Sequence, residues 1–293
     1  MILVTYGLPI VATLLTWWFS TGAILYLDGL PRATFRWSFG AATLIGLAAL
    51  WGLHATAGDT SVAGAYLAVL SAVLVWGWNE MAFLFGYIAG SSREPCDPAL
   101  RGWARFTSAT RAILHHELAL LASLAAIAAL TWDGANPFGM ATFALLFAMR
   151  LSTKLNIFLG VPNTTVEFLP EHLAYLKTYF RQKPMNLLFP LSVTAATLLS
   201  AWLVHKIALA GDPFLTTGFV LLATLAVLGL IEHWFLVVPL PVADLWAWGL
   251  RSHAQARSPL ETTAASARPA ALSTPAPAGL APARAVKPST LVA

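Results

Sequence analysis

The chain has 293 residues, 58% of them hydrophobic and only 10% charged, and its mean hydropathy is +0.71. A soluble domain carries roughly 25% charged residues, so this composition excludes an ordinary water-soluble fold and points to the bilayer as solvent. The single cysteine, Cys96, excludes a disulfide framework or a cysteine-rich metal knuckle, and the net charge of +4 does not indicate nucleic acid, because the basic residues follow a membrane-orientation pattern.

A membrane-crossing helix needs about 20 predominantly apolar residues. Seven such stretches run near Thr5–Leu27, Trp37–Thr56, Ser61–Ala89, Arg111–Thr131, Pro137–Val161, Met185–Leu209 and Pro213–Val238. No Lys or Arg precedes the first, which is also longer than the apolar part of a secretory signal. Lipid cannot satisfy open backbone groups, and no segment alternates like a barrel strand. The expected fold is therefore all-α, a polytopic bundle of seven transmembrane helices over residues 1–252.

With the N-terminus outside, every Lys and Arg except Lys206 falls in, or at span ends entering, the inner loops and the C-terminal segment. The positive-inside rule then predicts N-out/C-in. Between the fifth and sixth spans, EFLPEHLAYLKTYFRQK (Glu167–Lys183) is too polar to cross and is expected as an amphipathic helix on the inner surface, with Pro170 in its first turn. The tryptophans of PLPVADLWAWGLR predict a second interfacial segment near 240–252, and the Ala-, Pro- and Ser-rich stretch 253–293 reads as a disordered cytoplasmic tail. Trp17, Trp18, Trp76 and Trp78 read as interfacial belt or packing residues. The seventh span contains no lysine, which excludes a retinal Schiff base.

Ionisable residues inside a span cost several kcal/mol in hydrocarbon, so their positions are informative. Counting about 1.5 Å per residue puts Glu80 in the inner half of the third span and His115, His116 and Glu117 one to two turns into the fourth. The same count puts Arg150, Lys154 and Asn156 in the inner half of the fifth and Glu232 and His233 in the inner third of the seventh. Glu167, Glu171 and His172 would cap that level from the surface helix. A buried polar cavity near the cytoplasmic face is expected, since such residues usually face the bundle interior and pair.

Three readings of that cavity stay open. Arg150 and Lys154, at i and i+4, can neutralise Glu80, Glu117 or Glu232 in a structural ion-pair network. Alternatively, Glu80, His116, Glu117, Glu167, Glu171, His172, Glu232 and His233 supply the histidine–carboxylate set of an iron or zinc centre. Neither the Glu-x-x-His of di-iron bundles nor the His-Glu-x-x-His of zinc proteases occurs. A neutral imidazole at His116, His172 or His233 is instead the kind of ligand that binds the central metal of bacteriochlorophyll, a precursor of it, or haem. The third reading is a proton or solute pathway, which the nearly uncharged outer half disfavours.

Several strings resemble a known family: DTSVAGAYLAVLSAVLVWGWNEMAFLFG from Asp59, HHELALL from His115, TKLNIFLGVPNTTVEFLPEHLAYL from Thr153, RQKPMNLLFPLSVTA from Arg181 and LIEHWFLVVPLP from Leu230. They are similar to the PuhE family of photosynthetic complex assembly proteins of purple bacteria, over about residues 5 to 250. The resemblance implies a multi-pass protein of the bacterial inner (cytoplasmic or intracytoplasmic) membrane, encoded near the reaction-centre H subunit. It implies partnership with reaction-centre, light-harvesting or pigment-synthesis proteins, and a part in complex assembly or bacteriochlorophyll supply. It carries no catalytic residues. The alternative from another class is an integral-membrane metalloenzyme acting on a tetrapyrrole or other lipid-soluble substrate.

Overall fold

The computed structural model describes residues 2–164 and 166–253; of the tail expected over 253–293, His253 is helical and docked, and the rest lies outside the described residues, as does the side chain of Glu167. Seven helices follow in order: α1 Leu8–Asp28, entered through a π-helical turn at Leu3–Gly7, α2 Arg32–Thr56, α3 Val62–Leu84, α4 Gly102–Leu130, α5 Phe138–Leu159, α6 Leu188–Leu209 and α7 Pro213–Phe235. All seven are long and apolar enough to cross a membrane, and no strand occurs among the described residues.

Helix ends follow local chemistry. Ser61 caps α3 by accepting from the Gly64 amide at 3.0 Å, and Asp212, followed by Pro213, caps α7 by accepting from Leu215 at 2.9 Å. Gly86, at φ +78°, stops α3 at Leu84 rather than near Ala89. α2 and α4 begin earlier than the apolar runs, at Arg32 and Gly102 instead of Trp37 and Arg111. Their polar first turns stay helical because a helix satisfies its own backbone wherever the hydrocarbon ends.

α3 and α7 form the centre. In these two, 56% and 67% of the apolar window is buried, against 28% or less in the other five. Ala65, Val69, Phe138, Leu221, Leu222 and Ala226 pack where α3, α5 and α7 meet, while Ala49, Leu53, Leu120, Ile127 and Phe143 join α2 and α4 to that core. Outward residues such as Leu44, Trp51, Leu187 and Leu198 stay exposed, which leaves an apolar belt for lipid.

The two segments outside the spans differ from expectation. Residues Val166–Phe168 and Glu171–Tyr179 form 3-10 turns in place of an amphipathic α-helix. Leu173, Leu176 and Tyr179 recur every third residue, the period of a 3-10 helix, and bury together against Phe83, Ala89, Cys96 and Ala112. The C-terminal segment, a 3-10 turn at Val242–Trp246 and a helical stretch 247–253, folds along α1. Trp246 Nε1 donates to the Trp18 carbonyl at 2.9 Å, and Trp18 Nε1 donates back to the Leu245 carbonyl at 2.8 Å. Gly22 makes room for the Trp248 ring, which an added Cβ would overlap.

Candidate functional site

Four helices that run in the same direction, α1, α3, α5 and α7, enclose a cavity of about 590 Å³, within the range of small-molecule pockets. Its wall is mostly apolar, from Leu70, Val73, Leu146, Leu225 and their neighbours. Glu80, Arg150, Lys154 and Glu232 line it at the end where α3, α5 and α7 stop, and the Glu171–Tyr179 turn contributes Leu176 and Tyr179 to the wall.

Each charge there has a definite partner. Arg150 Nη2 lies 3.4 Å from Glu80 Oε2, and Lys154 Nζ lies 2.6 Å from Glu117 Oε1. These pairs join α5 to α3 and to α4. Lys154 and Glu117 are mostly enclosed, whereas 44% of the Arg150 side chain remains exposed, leaving most of its donor fork free. Glu232 is different. It accepts from Trp17 Nε1 at 2.8 Å and forms no ion pair among the described residues.

His116 is almost fully buried, its ring centroid 4.5 Å from that of Phe83. Its Nε2 is 3.9 Å from Glu80 Oε1, beyond hydrogen-bond distance, and neither ring nitrogen nor that carboxylate oxygen has a partner among the described residues. The chain that follows α3 docks on this turn of α4. The Arg111 carbonyl accepts from the Ser91 amide at 2.9 Å, and the His116 amide donates to the Ala89 carbonyl at 3.0 Å.

A protein family described as a protein of unknown function (DUF3623) matches residues 3–257. The chain belongs to this family. An uncharacterized 30.4 kDa protein in the puhA 5' region of Rhodobacter capsulatus is 44% identical over 256 residues, spanning 86% of this chain and 92% of that one. No solved structure matches the chain.

In this DUF3623 protein the described histidines and carboxylates are spread over separate contacts. Among the described residues, no three His, Cys, Asp or Glu side chains gather closely enough to hold an ion. Two of the three histidines considered as pigment ligands are engaged elsewhere. His233 Nδ1 donates to the Gly229 carbonyl at 2.7 Å, and Nε2 hydrogen-bonds with the Ser152 hydroxyl at 2.9 Å. Ser152 continues to Ser192 at 3.0 Å, and Ser192 to Asn156 at 3.0 Å, so His233 belongs to a satisfied network between α5, α6 and α7. His172 Nε2 donates to the Leu84 carbonyl at 2.8 Å, holding the 3-10 turn on the end of α3, while Glu171 is exposed. Adjacent residues on a helix point about 100° apart, which is why Glu232 faces the cavity while His233 turns away.

Two residues enter the site that the sequence reading treated as packing or passed over. Trp17 lies about ten residues from either end of α1, roughly 15 Å from each and too deep for an interfacial belt, and that depth was the available signal. Tyr66, near the start of α3, lines the opposite end of the cavity with a buried hydroxyl that has no partner among the described residues. Nothing in its surrounding string distinguishes it from a packing tyrosine.

Proposed function

We propose that this chain is an inner-membrane factor for assembly of the bacterial photosynthetic complex, reaction centre or light-harvesting, or for its supply of bacteriochlorophyll. The observation that carries the reading is the 44% identity, over nearly all of both chains, to a protein described by its position in the puhA 5' region. The resemblance of the chain's strings to the PuhE family supports the same role. A seven-helix bundle enclosing an apolar cavity suits a factor that handles a lipid-soluble component. In the N-out/C-in orientation favoured by the basic loops, the charged end of the cavity lies beneath the inner leaflet.

The test is the absorption spectrum of a strain lacking this gene. Blocked pigment supply leaves precursor bands, whereas failed assembly leaves pigment outside its complexes. Normal pigment together with normal complexes would rule the role out.

A further inference from the structure

The cavity is long. Tyr66 and Glu80 both line it and are 14 residues apart on α3, which at 1.5 Å per residue is about 21 Å. Leu221 on α7 and Leu236, just past its end, bracket a similar length of its wall. That length, along a mostly apolar wall, suits an extended chain.

Charge then selects the head group. Both cations already face carboxylates, Arg150 against Glu80 and Lys154 against Glu117, and Glu232 is a third carboxylate with only an indole N–H on it. An anionic head would sit against Glu80 and Glu232 in a low-dielectric site. A cationic head would sit against Arg150 and Lys154. Arg150 and Glu232 line the same end of the cavity and form no ion pair with each other. A hydroxyl can accept from the guanidinium and donate to the carboxylate, so that no charge is added and both groups gain a partner.

We propose that this cavity binds a neutral, long-chain lipid carrying a hydroxyl at one end, with the head between Arg150 and Glu232 and the chain running between α1, α3, α5 and α7 toward Tyr66. This deepens the reading of the cavity as a place for a lipid-soluble component and names the class it takes.

The test uses the full chain in lipid nanodiscs and three photoactivatable amphiphiles that share one long alkyl chain and end in an alcohol, a carboxylate or a trimethylammonium group. Crosslinks are mapped by mass spectrometry. The alcohol probe is expected to label the cavity wall around Val73 and Leu225, and to do so about ten-fold better than either charged probe, the value of a hydrogen bond to a charged group. Glu232→Leu should remove that preference while leaving chain labelling in place. Leu225→Trp, which fills the cavity without touching the charges, should abolish wall labelling by all three. Equal labelling by every head group would mean ordinary bilayer chains occupy the space, and would overturn the proposal. Preference for a charged probe, or no labelling of the wall, would overturn it too. No photosynthetic complex is needed, so this result and that of the deletion strain stand or fall separately.

Discussion

The imidazole Nε2 of His253 lies 2.5 Å from Asp28 Oδ1, which joins the C-terminal segment to the end of α1. The same nitrogen lies 3.0 Å from the Leu25 carbonyl, and the Asp28 side chain is sealed from solvent. Together with the Trp17–Trp246 edge contact at 5.0 Å, this contact keeps residues 242–253 on α1 and so keeps Trp246 on the cavity wall.

Replacing Asp28 with Asn keeps the shape but removes the charge on that hydrogen bond. The expected cost is about 2 kcal/mol, felt in the docking of the segment more than in the bundle. Trypsin cleavage after Arg251, followed over time in nanodiscs, should be several-fold faster in Asp28→Asn and in His253→Ala than in the parent. Unchanged cleavage in both variants would show that the tryptophans alone hold the segment.

Lys154 and Glu117 give a prediction about pairing. At 2.6 Å, with side chains 21% and 16% exposed, neither charge has water enough to stand alone. Lys154→Met should therefore destabilise the bundle by about 3 kcal/mol, whereas the double variant with Glu117→Leu should recover most of that loss. Thermal melts of the two single variants and the double variant, arranged as a cycle, measure the coupling directly. An additive result would mean that the two charges are independently solvated.

How much of this was legible in the sequence depends on which level is asked. The seven helices follow from the length of the apolar runs, because hydrocarbon leaves an apolar chain no other way to satisfy its backbone. Their ends do not, since turns such as Gly102–Arg111 remain helical after the apolar run is over. Counting residues gives depth along an axis, so Glu80 and Arg150 can be assigned similar levels. It does not give rotation, and rotation decides that Glu232 faces the cavity while His233 hydrogen-bonds to Ser152. The contact between Trp17 and Glu232 spans 215 residues and depends on α1 packing beside α7, which no local pattern encodes. The 3-10 geometry at Glu171–Tyr179 was written in the three-residue spacing of Leu173, Leu176 and Tyr179, but their polar neighbours gave the segment the look of a surface helix.

Asn186 links two helices through both ends of one amide. Its Oδ1 accepts from the Leu188 and Phe189 amides at 2.9 and 3.1 Å, capping α6. Its Nδ2 donates to the Gly160 carbonyl at 2.9 Å and to Asn156 Oδ1 at 3.1 Å, closing α5. Asn186→Ala should cost about 2 kcal/mol, at the upper end for a helix cap because the α5 acceptors are stranded as well. Asn186→Asp keeps the acceptor and loses the donor, so comparing the melting temperatures of the two variants divides the effect between α6 and α5.

His172 makes stability depend on pH. Burial between Phe35 and the turn at Gly86 lowers its pKa below the ordinary value of 6.5, with the arginines Arg32 and Arg93 adding to the shift and the hydrogen bond to the Leu84 carbonyl opposing it. A histidine whose folded pKa is depressed binds fewer protons folded than unfolded near its ordinary pKa. Its contribution is therefore complete above about 6.5 and is lost as pH falls through the folded value. The melting temperature of the parent should decline as pH is lowered from 7.5 toward about 5. His172→Asn, which retains a donor for Leu84 without a titrating group, should flatten that decline while lying below the parent at pH 7.5. A slope equal to the parent's would assign the acid sensitivity to other groups and leave His172 with only its role as a tether.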